Sequence, residues 1–138
     1  HGLANAVILP MILEAYGEKI HKKLAHLAVA AGLADKGTPC SEAARRFIQA
    51  IKDMKKRFGI GDHIPEIRET DIPKLAHYAD KEANPLYPVP VLMNASELEL
   101  FYRRLMGTPE EASENISEDT SEENTAAKGE TEHDGTGN

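Results

Sequence analysis

The chain has 138 residues, 23 acidic and 16 basic, for a net charge of -7. That length suits one domain, the single cysteine Cys40 excludes an internal disulfide, and no apolar run approaches the roughly 20 residues a membrane span needs. The acidity is local: ten of the 23 acids but only one of the 16 bases lie from Gly107 onward, which leaves 13 acids and 15 bases in a near-neutral body. Neither part has the basic surface that nucleic acid would require.

The first predicted helix, about Leu3 to Tyr16, is apolar on most sides through Leu3, Ala6, Val7, Ile8, Leu9, Ile12 and Leu13. Such a helix is expected to be buried. Pro10 falls inside it and predicts a kink, and Gly17 marks its end. The second helix, about Glu18 to Ala31, sets Ile20, Leu24, Leu27, Ala28 and Ala31 on one face, with Gly32 as its stop. The third has Ser41 as the expected cap, a stripe of Ala44, Phe47, Ile48, Ile51, Met54 and Phe58, and Gly59 after it. Its expected outer face carries Arg45, Arg46, Lys52, Lys55, Lys56 and Arg57, mixed with Glu42 and Asp53; that mixture reads as a solvated surface, not an anion site.

A short fourth helix starts near Asp71, with Pro73 in its first turn, where proline is tolerated. The fifth opens on a capping box, Asn94 to Glu97, and presents Leu98, Phe101, Tyr102 and Leu105. Between them, Asn84 to Pro90 holds three prolines in six residues and is expected to be an ordered extended loop. Beyond Met106, residues 107–138 are rich in Glu, Ser, Thr, Asn and Gly. With Ile116 as the only large aliphatic, this segment lacks apolar surface to offset its ordering entropy, so a disordered acidic tail is expected. The fold class is therefore all-α over residues 1–106, followed by that tail.

Motifs add what periodicity does not. The opening His1-Gly2-Leu3-Ala4-Asn5-Ala6-Val7-Ile8-Leu9-Pro10 is similar to the H-G-x-x-N-A-x-x-L-P signature of the iron-containing alcohol dehydrogenases. Gly59-Ile60-Gly61, Ile67-Arg68 and Asp71-Ile72-Pro73-Lys74-Leu75-Ala76 resemble that family's next conserved segment in order and spacing. Asn84-Pro85 and the run from Pro88 to Tyr102-Arg103 resemble the one that closes the domain. The resemblance spans about residues 1–106 and implies a C-terminal helical domain that follows a nucleotide-binding α/β domain. It also implies a divalent metal, Fe(II) or alternatively Zn(II), held by one Asp and three His in the cleft between the domains, with NAD or NADP as cofactor. On the motif, His1 is the last of the four ligands; the other three and the glycine-rich phosphate loop belong to the preceding domain and are absent from this chain.

The implied reaction interconverts a small alcohol and its aldehyde by hydride transfer, in a cytoplasmic enzyme that forms a homo-oligomer in one reading. A fused aldehyde–alcohol dehydrogenase is another form the parent can take. The residues Asp80-Lys81-Glu82-Ala83 stand where the family often has a Cys-Thr-Gly-like stretch near the substrate entrance, so substrate preference does not carry over. His21 and His26 are five apart, not three or four, and do not share a helix face. His63, His77, His133 and Cys40 have no partner motif and receive no role. A rival of another class stays open: a free-standing helical interaction module without catalysis, distinguished by whether the apolar first helix leaves a face uncovered.

Overall fold

The computed structural model describes residues 1–83 and 87–108. The expectation of a disordered tail over 107–138 lies outside the described residues from 109 onward, as does the start of the proline-rich loop, 84–86. Five α-helices follow in chain order: α1 (Gly2–Tyr16), α2 (Glu18–Ala30), α3 (Cys40–Arg57), α4 (Ile72–Ala83) and α5 (Ala95–Met106), with a single 3-10 turn, Glu69–Asp71, leading into α4. Among the described residues there is no strand, and the all-α expectation holds.

The breaks between helices have local causes. At Gly17, φ is +53°, a left-handed conformation that glycine adopts without a Cβ penalty, so α1 ends and α2 begins one residue later. Gly32 follows α2 at φ +71°. At the start of α3 the cap is Pro39, without a side-chain hydrogen bond, and the helix begins at Cys40. Ser41 therefore lies inside the first turn and does not cap, because proline's fixed φ already directs the chain into the helix. The fifth helix starts as expected: Asn94 Oδ1 accepts from the Glu97 N–H at 3.0 Å, and the Glu97 carboxylate accepts from the Asn94 N–H at 2.8 Å.

The most extensive helix pairing joins α2 to α3, followed by α4 with α5, while α1 lies against α3 and touches α2. Three apolar clusters result. Val7 and Met11 of α1 meet Leu105 of α5, with Ile60, Ile64 and Ile67 of the α3–α4 connection packed around them. Ile20 and Leu24 of α2 meet Ala44 of α3, with Leu13 and Tyr16 at the end of α1 packed against them. Ala25, Ala28 and Ala43 bring α2 and α3 into close approach. The Ile64 N–H also donates to the Leu105 carbonyl at 2.7 Å, tying the connection to the end of α5.

Several side chains depart from the expected faces. The first helix is not buried all round: Val7, Pro10 and Met11 are buried, but Leu3 is 66% and Leu9 43% exposed. Its buried side chains face α3, the α3–α4 connection and α5, and no described element covers the side that carries Leu9. Leu27, Ala31, Met54 and Phe58, all expected in the core, are exposed, since no element of His1–Gly107 covers those helix ends. Conversely, Lys55, expected on the outer face, is buried at 5% exposure.

Gly107 caps α5 at φ +73°, and a Cβ there would stand 2.7 Å from His63 Cγ. Both the backbone and the space call for glycine. We expect Gly107→Ala to cost about 1–3 kcal/mol in urea denaturation. Asn94→Ala, which removes the capping box, should cost about 1 kcal/mol in the same assay.

Candidate metal-ligand terminus of the first helix

His1 occupies the N-cap of α1. It is exposed, its side chain makes no capping hydrogen bond, and its carbonyl accepts from the Asn5 N–H at 3.1 Å. The imidazole is thus presented at the end of a helix whose next two turns carry Leu3 and Leu9 uncovered and Val7 inward. Among the described residues no group of three or more His, Cys, Asp or Glu side chains is arranged to hold a metal ion. Among the described residues His1 belongs to no such group, so its imidazole could serve a metal only as a single ligand in a shared site.

The other titratable candidates are not gathered near His1. His21 is half-buried and lines a shallow groove of about 290 Å³ with Glu14, Ser41, Arg45, Gln49 and Lys52. His26 is exposed. His77 is exposed, with its ring 6.1 Å from that of Tyr78. A second groove, of about 380 Å³, runs between Ile67, Arg68, Asp71, Lys74 and Tyr78. His1 lines neither. Cys40 is exposed at the start of α3, and His133 lies outside the described residues.

Besides its apolar packing, α1 receives charged contacts, two of them from α3 lysines that helical periodicity assigned to solvent. Lys55 Nζ donates to Asp62 Oδ1 at 2.8 Å and lies 3.5 Å from the Val7 carbonyl. One turn earlier on α3, Lys52 Nζ pairs with Glu14 near the end of α1, and Glu14 also faces Arg104 of α5 at 3.6 Å. The sequence hid these roles because a lysine stem can cross an apolar surface while its ammonium finds a distant partner; no spacing rule reveals that partner. The hydrogen bond from Lys55 holds the Asp62 carboxyl below its ordinary value of 3.8, against the opposing effect of burial. Elsewhere Glu42 is lowered to about 2 by hydrogen bonds from Arg45 and then Arg46, all on the solvent side of α3.

Comparison with known proteins follows this geometry. Residues 1–106 match the Fe-containing alcohol dehydrogenase family, C-terminal, and the chain belongs to that family. It is similar to a lactaldehyde reductase of Escherichia coli (strain K12), 30% identical over 81 residues, covering 57% of this chain and 21% of that protein. It is also similar to a 1,3-propanediol dehydrogenase of Klebsiella pneumoniae, 30% identical over 106 residues, covering 75% of this chain and 27% of that protein. The chain spans about a quarter or less of the length of these curated relatives in the matched regions. No solved structure matches it. Among the described residues no helix is long and apolar enough to cross a membrane.

A lowered carboxyl pKa stabilises the folded state above the unfolded value, and that contribution is lost as pH falls through the folded value. The thermal stability advantage of the native chain over Asp62→Asn should therefore be full above pH 3.8 and shrink below it, as read from melting curves on either side of that pH.

Proposed function

We propose that this chain is the helical C-terminal domain of a metal-dependent NAD(P) alcohol dehydrogenase that interconverts a primary alcohol and its aldehyde by hydride transfer. In this reading His1 is one metal ligand, and the remaining ligands and the phosphate-binding loop come from a preceding nucleotide-binding domain. The observation that carries it is the placement of the His1–Pro10 motif: an exposed imidazole at the tip of a helix, in a chain of the iron-type alcohol dehydrogenase family. The names of the relatives, a lactaldehyde reductase and a propanediol dehydrogenase, support a small hydroxylated or carbonyl substrate.

When bound, the divalent metal, Fe(II) or Zn(II), supplies Lewis acidity toward the substrate oxygen, and the nicotinamide accepts or returns the hydride. The chain's own contribution is to hold the His1 imidazole in place, through one face of α1 packed on α3. Leu3, exposed in the first turn on the same side as Val7, and Leu9, exposed on the far side of the helix, are apolar surface for the preceding domain to cover. That exposure supports the domain reading over the free-standing interaction module, which has no reason to leave its most apolar helix half open. The alcohol dehydrogenase reading places the protein in the cytoplasm.

In the intact enzyme, His1→Ala should lose most of its bound metal and on the order of 100-fold or more in alcohol oxidation, measured as metal per protomer and as reduced nicotinamide formed. Retention of both metal content and rate by that variant overturns the assignment.

A further inference from the structure

We propose that Lys55 is a positioning residue for the metal ligand His1, acting through the Val7 carbonyl of α1 and locked from outside by Asp62. The inference rests on the proposed role of His1.

Three observations carry it. First, α1 has a single charged side chain, Glu14, and apolar residues around most of its circumference. Apolar packing therefore discriminates poorly between rotational settings of this helix, because turning it exchanges one aliphatic face for another. Polar contacts at defined points have to choose the setting. Second, those contacts come from α3, where Lys52 and Lys55 lie one turn apart. Lys52 takes the C-terminal end of α1 at Glu14, and Lys55 takes the turn at Val7. Third, that turn lacks one backbone hydrogen bond. Pro10 has no N–H to give the Ala6 carbonyl four residues back, so the backbone ladder is interrupted beside Val7.

Lys55 is itself an unusual group to find there. It is 5% exposed, at the margin of the cluster formed by Val7, Met11 and Leu105. A buried ammonium is costly unless paired and hydrogen-bonded. Its 2.8 Å bond to Asp62, whose side chain is 79% exposed, satisfies the charge from the solvent side. The 3.5 Å approach to the Val7 carbonyl is longer than the usual range of about 2.7–3.2 Å, but the donor carries a full charge and is only 5% exposed. Replacement by an apolar residue would leave the fold its packing and remove the one polar contact from α3 to this turn.

The lever arm makes the contact matter for His1. Six residues at about 1.5 Å each put His1 about 9 Å from Val7 along α1, so a tilt of about 10° there moves it by about 1.6 Å. Metal–ligand distances tolerate about 0.2 Å. A small loss of definition at Val7 is thus magnified at the terminus, where the requirement is strictest.

The test uses the intact enzyme loaded with its metal, or with Co(II) as a spectroscopic substitute. Lys55→Met should speed metal loss to an excess of chelator by about 10-fold or more, within the range seen when outer-shell support of a ligand is removed. It should also shift the visible absorption of the cobalt form, and Lys55→Arg should recover both in part. Should Lys55→Met fail to fold, Asp62→Asn at the exposed end of the clamp gives the same reading, with metal release a few-fold faster. Release rates and cobalt spectra unchanged in the folded Lys55 and Asp62 variants overturn the proposal, even if their melting temperatures fall. His1→Ala separates the two ideas. Metal lost in that variant but held normally in the others refutes the positioning role alone, whereas metal held in His1→Ala refutes the ligand role beneath it.

Discussion

The seating of α1 on α3 is the constraint around which the rest of the body is arranged. A fifteen-residue helix with almost no polar side chains gains free energy from any face it buries, and so needs something other than hydrophobicity to select one face. We propose that lysines of α3 help make that selection. Lys52 and Lys55 reach from α3 to opposite parts of α1, and Glu14 shares its carboxylate with Arg104 of α5. The buried side is then Val7, Pro10 and Met11, and the α3–α4 connection and α5 close over Val7 and Met11 through Ile60, Ile64 and Leu105.

That arrangement links packing to function through geometry. The family motif combines the histidine with the first turns of the same helix, so the direction of the imidazole depends on how the helix is set down. One face of α1, with Val7, Pro10 and Met11, is committed to the helical body, while Leu3 in the turn beside His1 and Leu9 on the far side stay exposed. An exposed imidazole at the end of its helix, beside the exposed Leu3, suits the proposed role of one ligand in a site completed by a second domain. The same logic explains the lone donor: metal affinity requires several ligands at fixed separation, and one imidazole on a helix tip acquires chemistry only when others are brought to it.

Conformational control by single residues is modest but well placed. Gly17 at φ +53° turns the chain from α1 directly into α2, and Gly107 at φ +73° ends α5 against the His63 side chain. Between them, Ala25, Ala28 and Ala43 lie in the α2–α3 seam, the most extensive helix pairing among the described residues. The exposed pairs, such as Glu42 with Arg45 and Arg46, decorate the surface and decide little about the fold.

The sequence by itself determined the five helices, the glycine stops after α1 and α2, the Asn94–Glu97 capping box and the family, because these depend on local chemistry and on motif order along the chain. The proposal of His1 as a ligand likewise rests on its motif and not on any cluster of donors. Periodicity also found most of the α2–α3 seam, where the polar and apolar faces differ sharply. It misplaced the cap of α3, the burial of α1 and the side of Lys55, and it gave no sign of the partner that Lys52 finds in Glu14. Only the tertiary structure decided those. A helix apolar on all sides has no preferred face until a neighbour is present, and a long lysine on an otherwise polar face turns inward only when a carbonyl or carboxylate from a distant part of the chain meets it. Partners such as Val7 and Glu14, some 48 and 38 residues away from their lysines, leave no local pattern to read.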